Sequence, residues 1–224
     1  MPALFVARPN RFLVVARVGS RRVRAASSDP GRLSELLRPG ARLLLAPATP
    51  GSRRRTRYTV VLVRKGRAWV SVVPALANAV LAGALARGGA PGLRDARVVA
   101  REVRHGRSRF DFLLLHCGRH VLVEVKSATL VENGVALFPD APTARGARHV
   151  RELTEHVRRG GLAAVVFVVQ RDDATALRPH AGNDPALADA LGEASRAGVR
   201  VLAYACRATP QGVTLERRIP VLWR

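Results

Sequence analysis

Over the first third of the chain, apolar and polar positions alternate in short runs. Phe12 to Val18, Arg21 to Ala26, Ala41 to Pro47, Tyr58 to Arg64 and Ala68 to Val73 carry a period near two. That period marks half-buried strands. Gly19-Ser20 and Lys65-Gly66-Arg67 supply turns, and Ser27 to Gly31 reads as a loop. Arg32 to Leu37 reads as a short helix stopped by Pro39-Gly40. Short strands with one small helix predict a β-barrel of the OB type, with another small barrel as the alternative.

From Pro74 the period changes. Leu76, Val80, Leu81 and Leu85 stand at helical spacing, so Pro74 to Arg87 is predicted as a helix that ends at Gly88 to Gly92. Val98 to Val103 is a strand. Phe110 to Leu115 and Val121 to Val125 form a hairpin across Cys117-Gly118-Arg119-His120, and Ser127 to Val131 with Gly134 to Leu137 forms another. Thr143 to Arg159 is an Arg-rich amphipathic helix with Val150, Leu153 and Val157 inward. Ala163 to Val169 is uninterrupted apolar, as in a strand buried on both faces. Asp184 as N-cap and Pro185 at the first helical position open a helix to Ala197. The strands Val199 to Cys206 and Val213 to Ile219 follow. This alternation predicts an α/β domain with a mixed sheet. The expected organisation is residues 1–80 as the OB-like barrel and 81–224 as the α/β domain, an α+β chain overall.

Composition adds a partner class. Among 224 residues, Lys+Arg number 38 and Asp+Glu 16, a net charge of +22. Such a charge points to a polyanion, most simply nucleic acid, although basic proteins also bind membranes or RNA particles. An OB-type barrel keeps RNA as a weaker reading beside DNA. A GC-rich genome accounts for Arg replacing Lys, but not for bases exceeding acids more than twofold. The densest basic run is Thr49 to Arg57, with Arg53, Arg54, Arg55 and Arg57 as candidate phosphate contacts. Aromatics make up only 4%, so stacking platforms are few. Phe12, Tyr58 and Trp69 are the candidates, and each is expected in the core. Cys117 and Cys206 match no zinc or disulfide framework. No stretch has the length of a transmembrane helix and none reads as a signal peptide, so a cytoplasmic setting without a membrane partner is expected. Oligomeric state, monomer or homodimer, is left open.

The candidate chemistry lies on the first hairpin of the second half. Glu124 and Lys126, two apart on a strand, share a face. If Asp111 matches their parity on the neighbouring strand, two carboxylates and an ammonium meet. Paired carboxylates repel unless a cation joins them, and Mg²⁺ is the usual one. An acid, a gap and Glu-X-Lys is the core of PD-(D/E)XK nucleases. Asp111, Glu124 and Lys126 are the catalytic candidates, with Asp111, Glu124 and Asp140 as metal ligands. Asp140 is alternatively the N-cap of the following helix. On that helix Arg145 and His149, four apart, share a face with Arg148 beside them. They are candidate DNA contacts, with His149 capping a carboxylate as the alternative.

Longer motifs resemble a known family. Asn10-Arg11-Phe12-Leu13, Pro30-Gly31-Arg32-Leu33, Pro39-Gly40-Ala41 and Arg55-Thr56-Arg57-Tyr58 match in the first half. Ser108-Arg109-Phe110-Asp111-Phe112, Glu124-Val125-Lys126-Ser127, Phe138-Pro139-Asp140-Ala141, Thr143-Ala144-Arg145-Gly146, His149, Gln170-Arg171 and Asp184-Pro185 match in the second. Together they resemble the sugar fermentation stimulation protein A (SfsA) family. Ser28-Asp29 and Arg148 depart from its usual residues. The resemblance implies an OB-like domain, a PD-(D/E)XK nuclease-like domain, DNA binding and a link to the regulation of sugar-utilisation genes.

Overall fold

The computed structural model describes residues 1–48 and 54–223. Strands β1 (Pro2–Asn10), β2 (Leu13–Val18), β3 (Arg21–Ala26), β4 (Arg42–Pro47), β5 (Tyr58–Lys65) and β6 (Ala68–Ser71) form a sheet of order β3-β2-β1-β4-β5-β6. It closes on itself through β3 and β5, which pair in parallel at Ala25–Tyr58 and Ala26–Thr59. The result is the closed five-stranded OB barrel, with β6 added along β5. Alternate residues such as Val14 and Ala16, or Leu43 and Leu45, fill its interior. Closure leaves few unpaired strand edges.

Two local expectations change here. Pro2–Asn10 is a strand, although Pro2, Arg8 and Pro9 blur its alternation; a proline at a strand's first position costs no ladder bond. Residues 32–37 make a turn and not a helix. Leu33 takes φ 50°, its carbonyl accepts from both Leu36 and Leu37, and Leu33 and Leu36 plug the barrel. Burying those two leucines outweighs the weak helical preference of so short a segment.

Residues 72–75 lead to α1 (Leu76–Ala86). Then come β7 (Arg97–His105), β8 (Ser108–His116), β9 (Arg119–Ala128), β10 (Val131–Glu132), β11 (Val135–Phe138), α2 (Ala144–Arg158), β12 (Leu162–Val169), β13 (Ala176–Pro179), α3 (Pro185–Arg196), β14 (Arg200–Thr209) and β15 (Gly212–Ile219). The main sheet has the order β15-β14-β12-β9-β8-β7. Its centre, β9, β12 and β14, is parallel, and its flanks are antiparallel. Residues 163–169 of β12 are fully buried, as their unbroken apolar run requires. One face packs Phe110, Val165 and Phe167 against Val150 and Leu153 of α2 and Leu187 and Leu191 of α3. The other packs Phe112, Val123, Val166 and Tyr204 against Leu81 and Leu85 of α1. This is the α/β domain with a mixed sheet. Asp184 caps α3 by accepting from Leu187 N at 3.0 Å, and it also accepts from Thr143 N at 2.7 Å, which ties the starts of α2 and α3 together.

The two units join through specific bonds. Ser71 N donates to Gln170 O at 3.0 Å, and Gln170 Nε2 donates to Val73 O and to Ser127 Oγ. Among the described residues no helix is long and apolar enough to cross a membrane.

Candidate functional site

The site forms where β8 leaves β9. Their antiparallel register runs from His116–Arg119 to Phe112–Val123 and stops there, while β9 stays paired with β12 through Ala128. Phe110 and Phe112, which a regular strand would place on one face, enter the cores on opposite faces of the sheet. The strand therefore turns over at Asp111. The Asp111 carboxylate takes up the freed pairing: Oδ2 accepts from Val125 N at 2.7 Å, and Oδ1 accepts from Asn78 Nδ2 at 2.7 Å. Asn78 is the only polar side chain within α1. That isolation is the signal by which sequence reasoning could have found it.

Glu124 is the residue opposite Asp111 past the end of the register. It is 5% exposed, and its Oε1 accepts from Lys126 Nζ at 2.6 Å and pairs with His149 Nδ1 at 2.8 Å. The strand parity thus brings Glu124 and Lys126 together. His149 is 2% exposed, so it is no phosphate contact. Its ring stands edge-on to Phe110, and Arg145 Nε donates to its Nε2 at 3.3 Å. The two hydrogen bonds select the tautomer with hydrogen on Nδ1, which donates to Glu124. Buried carboxylates need such partners to remain charged.

Asp111 and Lys126 line a cleft between the two units, shared with Asn78, Arg11, Asp29 and Asp140. Asp140 does not complete a ligand set. Its Oδ2 accepts from Arg32 N at 3.1 Å, reaching across to the barrel. Nor does it cap α2, whose N-cap is Thr143, accepting from Gly146 N at 3.0 Å. Gly31 makes this latch possible, since a Cβ there would stand 1.9 Å from Asp140 Oδ2. Among the described residues no three His, Cys, Asp or Glu side chains group closely enough to enclose a metal ion. Glu102, a further acid on β7, turns away at φ 55° and pairs with exposed Arg109 at 2.7 Å.

The barrel side of the cleft carries a second buried acid. Asp29 accepts from Gly31 N, and burial pushes its carboxyl up from 3.8 to about 6, that bond opposing the rise and the Asp140 charge adding to it. A raised folded pKa favours the protonated form in the fold. Its stabilisation is full below about pH 4 and is lost as pH rises through about 6. Asp29→Asn still accepts from Gly31 and cannot ionise. We expect it to exceed wild type by up to about 3 kcal/mol near pH 7.5 and to match it near pH 4. Urea melts at the two pH values check this, and an equal difference at both contradicts it.

The basic candidates divide. Arg145 and Arg148 are exposed on α2. Arg55 and Arg57 line a separate groove on the barrel with Arg21, Arg24 and Tyr58, away from the cleft. Arg54 is exposed and donates to Thr59 Oγ1 at 3.3 Å, and Arg53 lies outside the described residues. Tyr58 packs against the barrel core and Trp69 lies beneath the Arg64 guanidinium. Phe12 is exposed, contrary to the expectation of a core residue.

Residues 6–72 match the family model described as the SfsA N-terminal OB domain, and residues 75–212 match the sugar fermentation stimulation protein RE domain. A sugar fermentation stimulation protein homolog of Moorella thermoacetica is 48% identical over 214 residues, 95% of this chain and 92% of the relative. One from Chloroflexus aurantiacus is 44% identical over 98% of this chain and 84% of its own length. The solved structure of Pyrococcus furiosus SfsA in complex with Ca²⁺ superposes with a TM-score of 0.89 at 31% identity, covering 99% of this chain and 95% of that one.

Proposed function

The chain belongs to the sugar fermentation stimulation protein family, and from that premise we propose that it binds DNA and presents a divalent cation to a phosphodiester in the inter-domain cleft. The observation that carries this reading is the geometry at Glu124, whose Oε1 is held by Lys126 at 2.6 Å and His149 at 2.8 Å beside Asp111. Two carboxylates at a strand parting with an adjacent lysine correspond to the acid–acid–lysine set of PD-(D/E)XK nucleases.

The donors suit a hard cation. Asp111 and Glu124 offer carboxylate oxygens, while Cys206 is buried among apolar side chains of the sheet. Mg²⁺ typically takes one or two carboxylates and completes its shell with water and substrate phosphate, so an enclosing cage is not required. The Ca²⁺ named with the Pyrococcus structure is of the same hard-oxygen class. When bound, such an ion polarises phosphoryl oxygens and makes water a better nucleophile. The protein's own groups do the rest. Asn78 and Val125 N fix Asp111, His149 fixes Glu124, and Lys126 places positive charge where a pentavalent phosphorus would gather negative charge. Lys126 both partners the buried Glu124 carboxylate and lines the cleft, so the ammonium that holds the acid is also available to a phosphodiester bound there. The proposed link to sugar-utilisation genes then runs through DNA occupancy.

Backbone phosphates are met by the excess charge, with Arg145 and Arg148 among the exposed cations on the site's own helix. Fluorescence anisotropy of labelled DNA across a salt series tests this. Affinity is expected to fall steeply with salt, and Arg145→Gln with Arg148→Gln to lower the logarithmic slope by about 1 for each phosphate that is no longer neutralised. Absence of DNA binding even at low salt would overturn the reading.

A further inference from the structure

Phe12 is, at 59%, the most exposed large apolar side chain among the described residues. It sits at the tip of the β1–β2 hairpin, where Asn10 pairs with Leu13. The tip is rigidly built. Phe12 N donates to Asn10 Oδ1 at 2.9 Å, and Phe12 O accepts from Ser27 N at 2.9 Å. A single guanidinium, Arg8, binds the carbonyls of Arg11, Asp29, Gly31 and Arg32 at 2.6–2.9 Å. It thereby ties the hairpin tip to the loop that Asp140 latches. The Arg11 guanidinium lies over the Phe12 ring, 5.0 Å from its centroid, and Arg11 also lines the cleft with Asp111 and Lys126.

An aromatic ring held out in solvent, under an arginine that also lines the cleft, has a specific complement. A nucleobase offers a flat π face, and its phosphate offers charge for Arg11. In a duplex the base faces are stacked on one another, so covering this ring would cost unstacking a base step, whereas an unpaired base covers it without that cost. We propose that Phe12 is a stacking platform for an unpaired nucleotide, and that the cleft takes DNA with a single-stranded stretch. This rests on the reading that the cleft binds DNA and adds the substrate class. Arg11 positions the adjoining phosphate, and the OB barrel acts as the single-strand guide for the carboxylate site.

The test compares a labelled oligothymidine with its duplex on oligodeoxyadenosine, by anisotropy in Ca²⁺ buffer. Wild type, Phe12→Ala, Phe12→Leu and Phe12→Tyr are measured, with thermal melts confirming the fold. Phe12→Ala and Phe12→Leu are expected to weaken single-strand binding by about tenfold or more, in line with the worth of one base–aromatic stack. Phe12→Tyr is expected to keep it, and duplex binding is expected to be unchanged in all. Single-strand affinity equal in wild type and Phe12→Ala overturns the platform alone, as does an equal loss on both DNA forms. Wild type binding neither DNA form overturns both this proposal and the reading beneath it.

Discussion

Lys126→Met is expected to slow Mg²⁺-dependent DNA cleavage by about 10²–10³-fold, the loss typical when one preorganised charge-stabilising donor is removed. The Lys126 side chain is 14% exposed and its ammonium rests on Glu124 Oε1. After substitution Glu124 keeps His149 as partner, so the fold survives and the loss appears in the rate. Glu124→Gln acts on the other member of the pair and is expected to lose activity at least as severely. The amide oxygen can still accept from His149, but it offers no charge to a cation. His149→Ala is expected to cost less, about 10–100-fold, as is usual for a group that orients a metal ligand. Single-turnover rates on one labelled substrate rank the three. A Lys126→Met enzyme as fast as wild type would remove this site from any cleavage observed.

The largest expected loss of stability lies at Gly89→Ala. Gly89 sits at φ 97°, and a Cβ there would meet Leu93 O at 2.6 Å and Arg94 Cα at 2.8 Å, both backbone atoms that cannot rotate away. Its N–H closes α1 by donating to Ala84 O at 3.0 Å. Backbone strain and displacement together should cost about 3 kcal/mol, lowering Tm by roughly 6–12 °C for a chain of this size. Gly88 is the internal control. It has φ 103° but nothing within 4 Å of a built Cβ, so Gly88→Ala should cost only the backbone part, about 1–2 kcal/mol. Equal losses at the two positions would show that the close approach carries no energy. The loop matters to function because α1 carries Asn78 to Asp111.

Patterns confined to one element are legible in the sequence. The unbroken run at residues 163–169, the Asp184-Pro185 helix start and the shared face of Glu124 and Lys126 each follow from local periodicity or capping. What escapes depends on distant partners. Asp140 finishes on Arg32, 108 residues earlier in the chain, and no local pattern records that. His149 lies on an Arg-rich helix whose composition suggests a solvated face. Its spacing of four from Leu153 nevertheless puts it on the buried side, where Glu124 waits. Phe12 departs from expectation for a related reason. Without β1, Phe12 reads as the first inward residue of a strand, whereas the added strand makes it the tip of a hairpin. The short strand β13 (Ala176–Pro179), completing a three-stranded sheet with β10 and β11, ends in proline and is too brief to show a period.

The central claim is that Asp111 and Glu124 jointly hold a divalent cation. Anomalous scattering from crystals grown with Mn²⁺ measures this most directly, because the ion's position is read without reference to any activity. The account predicts one strong peak between the Asp111 and Glu124 carboxylates, absent in Asp111→Asn crystals. A Mn²⁺ peak elsewhere, or none at saturating metal, would contradict it.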